Sequence, residues 1–261
     1  MRVRLTFLGT GTSFGVPQIG CHCAVCTSDD PRDRRSRSGA LVEAGGRTLL
    51  IDTAPELRLQ LLAAGVERVD AVLYTHEHAD HLNGIDDLRI FSVRSRTPLT
   101  CYGPAETLAR VSEGFRYIFD QDVHAFEGTS KPLLELSALE PGTPVEIAGI
   151  PVLPLAFEHG FLRVFGYRFG PVAYITDVKA IPPASYPALA GLEVLVLNSL
   201  WWRPHPTHLS IGEAIETARA LGAARTYLTH LTHETGHAEL ERQLPPGVFP
   251  AYDGLSIEVS A

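Results

Sequence analysis

The chain has 261 residues, 45% of them hydrophobic, and a formal net charge of −8. A chain of this length can bury about three-quarters of its unfolded surface, and one large domain over residues 1–261 is expected. The acidic balance argues against broad nucleic-acid binding, which needs clustered cationic charge; no apolar run approaches the roughly 18 residues of a membrane span, and Met1 to Leu5 lack the apolar core of a signal peptide, so a cytoplasmic protein is expected.

Arg4 to Leu8 reads as a strand entering Gly9-Thr10-Gly11-Thr12-Ser13-Phe14-Gly15. That run looks like a dinucleotide-binding loop, but the glycine spacing is wrong and Val16-Pro17 stands where the motif requires a helix. Cys21, Cys23 and Cys26 follow in C-x-C-x-x-C spacing. Three clustered thiols leave one over in any pairing among themselves, whereas three thiolates with one imidazole make a standard closed set for structural zinc. The loop at about 15–33 is therefore expected to hold zinc, provided that a distant histidine completes the set. Arg32, Arg34, Arg35 and Arg37 form a basic run beside it. Phosphate recognition and a solvated face neutralised by Asp29, Asp30 and Asp33 both fit this run, and no site role is assigned to it.

Thr48 to Ile51 reads as a buried strand delivering Asp52, with a helix from Pro55 through Leu62. Ala71 to Tyr74 is the next strand, and Thr75-His76-Glu77-His78-Ala79-Asp80-His81 follows it directly. Three imidazoles and a carboxylate within six residues read as half of a two-metal site. On extended chain His76 and His78 point the same way and can hold one cation, while Asp80 and His81 turn away to hold a second. A helix is expected just beyond the motif, through Ile85, Leu88, Ile90 and Phe91. Such a strand-to-helix turn is where open α/β proteins gather their chemistry.

Further strands are expected at Pro98 to Tyr102, Val152 to Phe157, Leu162 to Phe169, Val172 to Ile175, Val194 to Leu197 and Thr226 to Leu228. Helices fit Pro104 to Val111, Ser210 to Leu221, where Ser210 and Glu213 can form a capping box, and Ala238 to Gln243. Hairpins, a central βα unit, then more hairpins and helices suggest an α/β chain of α+β type, with two sheets face to face and helices outside. Three late strands end in ligand-type residues: His159, Asp177 and His230. A carboxylate such as Asp177 can bridge two cations, with His159 and His230 completing one set each. His22, His124, His205 and His237 read as surface residues, and Trp201 with Trp202 as a packed aromatic corner.

The ordered set Asp52, His76-x-His78-x-Asp80-His81, His159, Asp177 and His230 spans nearly the whole chain, and through it the sequence resembles the metallo-β-lactamase superfamily. The resemblance implies a four-layer αββα sandwich with a dinuclear site in the cleft between the sheets. It assigns His76, His78 and His159 to one metal and Asp80, His81 and His230 to the other. Asp177 would bridge them, and Asp52 would orient ligands from behind. The cysteine insertion and the ending Thr229-His230-Leu231-Thr232-His233 resemble the PhnP-like phosphodiesterase branch, which implies His233 as the fourth ligand of the structural zinc beside Cys21, Cys23 and Cys26.

His208 matches an extra histidine of the phosphodiesterase branches, and an imidazole suits protonation of a departing alkoxide. The implied activity is hydrolysis of small cyclic or linear phosphate diesters. Two zinc or manganese ions would activate water, with Asp80 and His208 as catalytic residues. A tRNase Z-like endonuclease is an alternative, although its long basic arm has no candidate here; a non-catalytic PqqB-like carrier or assembly protein is another. The expected partner is a small phosphodiester, with neither membrane nor nucleic acid; a homodimer is the oligomer to test.

Overall fold

In the computed structural model, which describes residues 2–124 and 126–260, two seven-stranded sheets pack face to face. Strands β1 (Arg2–Gly9), β2 (Gly39–Ala44), β3 (Arg47–Ile51), β4 (Ala71–Leu73), β5 (Leu99–Gly103) and β6 (Leu134–Ala138) build the first sheet. The second holds β7 (Val145–Ile147), β8 (Ile150–His159), β9 (Leu162–Phe169), β10 (Val172–Ile175), β11 (Val194–Asn198), β12 (Arg225–Thr229) and β13 (Val248–Pro250). A last strand, β14 (Ser256–Ser260), returns to pair antiparallel with β1. The orders are β14-β1-β2-β3-β4-β5-β6 and β13-β12-β11-β10-β9-β8-β7.

The period-2 alternation of side chains explains why the strands are apolar on both faces. In β11, Val194 and Val196 enter the core between the sheets, while Leu195 and Leu197 enter a second core on the outer face. In β3, Leu49 and Ile51 point inward and Leu50 outward. Helices α1 (Leu57–Ala63), α2 (Ala79–Leu82), α3 (Arg89–Ser95), α4 (Ala105–Gly114) and α5 (Arg116–Phe119) add to the outer core of the first sheet. Helices α6 (Ile211–Leu221) and α7 (His237–Gln243) add to that of the second. The result is the four-layer αββα sandwich.

Local chemistry fixes the helix ends. Ser210 accepts from the Glu213 amide at 3.2 Å, and the Glu213 carboxylate accepts from the Ser210 amide at 2.7 Å, which completes the expected capping box at α6. The loss of such a cap costs about 1 kcal/mol. One boundary differs from expectation. The helix near the histidine motif starts inside it: His78 is the N-cap of α2, and Asp80 and His81 lie on its single turn. The helical turn replaces extended chain at Asp80 and His81, and it keeps the His81 ring beside that of His76, with centroids 4.2 Å apart.

Both sheets contain a parallel run, β3 to β6 in the first and β10 to β13 in the second. The carboxyl ends of β3, β4, β10 and β12 deliver Asp52, the histidine motif, Asp177 and His230. Among the described residues, no helix is long and apolar enough to cross a membrane.

Candidate metal centre

Three residues that leave these strand ends have left-handed backbone although none is glycine: Asp52 (φ 62°), Asp177 (φ 57°) and His230 (φ 59°). Such conformations cost free energy in an L-residue and cluster at functional sites. Neighbouring contacts hold them. Asn198 accepts from the Val178 amide at 2.8 Å and donates to the Val178 carbonyl at 3.2 Å, which pins the chain just past Asp177. Gly84 closes the far side of the motif. A Cβ there would lie 2.1 Å from the Ala54 carbonyl oxygen, so only glycine lets the turn after α2 approach the segment carrying Asp52 so closely.

Ligand atoms of His76, His78, His159 and Asp177 all lie within 4.8 Å of one another, as do those of Asp80, His81 and His230, and those of Asp177, His208 and His230. Asp177 is the hub. Its carboxylate is 3.1 Å from His208 Nε2, 3.3 Å from His230 Nε2, 3.7 Å from His81 Nε2 and 3.9 Å from His76 Nε2. His78 alone of the set is exposed, while His76, His81, His159, Asp177 and His230 are buried.

Behind these side chains, hydrogen bonds orient the imidazole rings. The Asp52 carboxylate accepts from the Thr75 amide at 2.8 Å and the Thr75 hydroxyl at 2.7 Å, and lies 2.7 Å from His81 Nδ1. A carboxylate there calls for a proton on His81 Nδ1, so Nε2, which faces Asp80 and Asp177, is the nitrogen that would bind a cation once its own proton is displaced. In the same way, His159 Nδ1 donates to the Thr207 carbonyl at 2.9 Å and frees Nε2.

Electrostatics follow from this crowding. Burial opposes ionisation of Asp177, but the charges of His230 and His81 and the His208 hydrogen bond outweigh it and hold the carboxyl well below its usual range. Asp80 is lowered in the same sense, by His81 and His230 against burial. Burial also lowers His81, yet Asp177, Asp52 and Asp80 together raise it well above an ordinary imidazole. Burial, then the charge of His81, drives His76 well below, and burial lowers His159 and His208.

The residues fit a pair of divalent cations. His81 Nε2 and both ring nitrogens of His230 are buried without a hydrogen-bond partner among the described residues. Buried polar atoms are costly when left unpaired, and imidazole nitrogens converging on carboxylates are a donor set that first-row cations satisfy.

A second cluster stands beside the first. His233 Nδ1 is 3.3 Å from Cys21 Sγ, 3.3 Å from Cys23 Sγ and 3.5 Å from Cys26 Sγ. A backbone hydrogen bond from Cys26 and the contact with His233 lower Cys23 to about 6, while burial pushes Cys26 up to about 11. Three sulfurs and one nitrogen at such spacing match a closed tetrahedral zinc set, whose cation would let all three thiols ionise together.

Several expectations are corrected by packing. Arg35 is neither solvated nor free for phosphate: it is buried and donates to Thr10 Oγ1 at 2.9 Å and to the Ala251 carbonyl. Asp33 is not a neutralising surface charge, since it is buried and accepts from the His237 amide at 2.6 Å. His237 itself is buried, not on the surface, with Nδ1 3.2 Å from Arg35. His205 is half-buried, its ring 5.0 Å from that of His208 and 5.5 Å from Trp201. Thr75, Asn198 and Thr207 were outside the expected set; Thr75 adjoins the motif, but nothing in the spacing flags the other two.

A family model, the Beta-lactamase superfamily domain, matches residues 47–231. A solved structure described as a new diphosphatase from the PhnP family superposes with a TM-score of 0.91 at 41% identity, covering 99% of this chain and 98% of that one. Zn(2+)-bound PqqB from Methylobacterium extorquens gives a TM-score of 0.78 at 20% identity, covering 97% and 99%, a likeness of fold. An octanoyltransferase of Porphyromonas gingivalis is 39% identical over 97% of this chain, which spans about half (51%) of that relative's length. The chain therefore belongs to the metallo-β-lactamase superfamily, and within it to the PhnP family.

Proposed function

We propose that this protein is a metal-dependent phosphodiesterase that hydrolyses small cyclic or linear phosphate diesters. In this reading His76, His78 and His159 hold one cation, Asp80, His81 and His230 the other, and Asp177 lies between them. Cys21, Cys23, Cys26 and His233 hold a structural zinc. The observation that supports it best is the convergence of the His76, His78, His81, His159 and His230 imidazoles, with that of His208, on one carboxylate, Asp177.

When bound, two zinc or manganese ions would supply neutralisation of phosphate charge and activation of water near neutral pH. The chain's own groups do the rest. Asp52 and the Thr207 carbonyl hold the His81 and His159 rings with Nε2 free, so that no rotation is needed when the site fills. His208 presents Nε2 at the same carboxylate and carries the proton that the departing oxygen needs. Asp177 and Asp80, held ionised by their neighbours, keep the site anionic enough to retain cations.

Turnover of bis-p-nitrophenyl phosphate with added manganese or zinc, against an Asp80→Ala control, tests the reading. Metal-dependent release in the wild type alone supports it. Its absence would favour a non-catalytic carrier or assembly role.

A further inference from the structure

The His208 ring is enclosed by three other imidazoles. His230 stacks on it with centroids 4.9 Å apart, His159 meets it edge-on at 4.5 Å, and His205 lies tilted at 5.0 Å. His159 and His230 belong to groups of residues that could share a cation; His205 stands outside every such group among the described residues.

The hydrogen bonds around His205 have a direction. A backbone amide can only donate, and that of Thr207 reaches His205 Nδ1 at 3.3 Å, so this nitrogen is an acceptor with a lone pair. Burial first, then the charges of His159 and Lys179, lower His205 below an ordinary imidazole, which keeps its ring neutral. His208 Nδ1 lies 3.2 Å from the same nitrogen. Two ring nitrogens at that distance share one proton, and with His205 Nδ1 as the acceptor the proton belongs to His208. Thr207 Oγ1, 3.0 Å from His208 Nδ1, is a second acceptor for it. The other nitrogen of His208, Nε2, is then turned to the Asp177 carboxylate at 3.1 Å.

His205 is itself seated. Its ring packs edge-on against Trp201 with centroids 5.5 Å apart, the Arg203 guanidinium lies 3.7 Å over the Trp201 ring, and Arg203 donates to the Glu234 carboxylate at 2.6 Å.

We propose that His205 is a positioning residue for His208: it accepts the Nδ1 proton and so fixes the plane of the ring, with Nε2 toward the place of the leaving oxygen. This inference rests on the phosphodiesterase reading for the acid role of His208 and adds what aims that acid. Once Nε2 has passed its proton to the departing oxygen, the neutral ring that remains is the Nδ1–H tautomer. The bond to His205 is therefore kept before and after the transfer.

Two diesters and one spectrum test it. On glycerol 1,2-cyclic phosphate, whose leaving group is an alkoxide, His205→Ala should lower kcat about 10- to 100-fold with KM nearly unchanged, since the acid remains but is no longer aimed. Turnover of bis-p-nitrophenyl phosphate, whose leaving group departs without a proton, should change little. His205→Asn, whose amide oxygen can replace Nδ1 as the acceptor, should recover most of the lost kcat. In the zinc-loaded protein with isotope-labelled histidine, the Nδ1–H proton of His208 should give a slowly exchanging NMR resonance that is lost in His205→Ala and returns in His205→Asn. Equal losses on both diesters, or none on the glycerol one, overturn the inference while leaving the phosphodiesterase reading intact. A resonance that survives His205→Ala overturns it too, and leaves Thr207 Oγ1 as the acceptor that matters. If the wild type hydrolyses neither diester, the catalytic reading fails and the acid role with it; the resonance alone then decides whether His205 orients His208.

Discussion

His230 and His233, three residues apart after β12, serve different clusters: His230 Nε2 is 3.3 Å from the Asp177 carboxylate, and His233 Nδ1 is 3.3 Å from both Cys21 and Cys23. Leu231 between them bridges Gly11, and its amide donates to the Thr10 carbonyl at 2.9 Å. The two centres are joined by one short stretch of backbone anchored to the end of β1.

Cys23→Ser should therefore act at a distance. Zinc content is expected to fall by about one equivalent, the stoichiometry of a closed four-ligand site. KM for a diester should rise several-fold while the circular dichroism of the core is kept, and limited proteolysis should cut within residues 15–33. Full zinc content with full activity would show that the cluster is no metal site.

Asp52→Asn keeps the shape and tolerates the left-handed backbone at φ 62°, but removes the charge that orients His81. Affinity for the catalytic cations should drop about 10- to 100-fold, as is usual for partners behind metal ligands. Competition with a chromophoric chelator measures it. Unchanged affinity would argue that His81 is not a ligand.

His208→Ala should lower turnover of alkyl diesters about 10²- to 10⁴-fold, since a poor leaving group needs its proton. Aryl diesters, whose leaving oxygens depart as stable anions, should lose far less. An equal loss on both would remove His208 from the acid role and leave it a structural part of the Asp177 hub.

His237 gives a pH dependence of stability. Burial first, then the charges of Arg35 and Arg32, lower it from 6.5 to about 4. The unfolded chain takes up this proton first, so the contribution is complete above about pH 6.5 and is lost as pH falls toward 4. The sign follows from linkage, since across that window the unfolded chain binds more protons than the folded one. Urea unfolding of wild type and His237→Asn across that window should show a shallower decline in the variant, whose amide oxygen can still accept from Arg35. Parallel declines would place the titration elsewhere.

The candidate ligand cluster was legible because its members are chemically conspicuous and sit where hydrophobic runs end. His76, His78, Asp80 and His81 lie within six residues, and His159, Asp177 and His230 each cap an apolar strand. Strands such as β10 and β11 were equally plain, because burial on both faces makes them almost continuously apolar. β2, β6, β7, β13 and β14 were not read: β7 and β13 have three residues each, and β13 includes Pro250, too little for a periodic signal.

Composition and spacing alone thus determined the layered sandwich and which side chains could meet as ligands. Only the tertiary structure decided the supporting roles. Whether an arginine is solvated or buried, as with Arg35, depends on what packs over it, and His237 and Asp33 come from segments about 200 positions apart in the chain. The same holds for Thr207, whose carbonyl accepts from His159. Local sequence encodes a residue's chemistry and its face on an element, whereas its partners are set by how the elements converge.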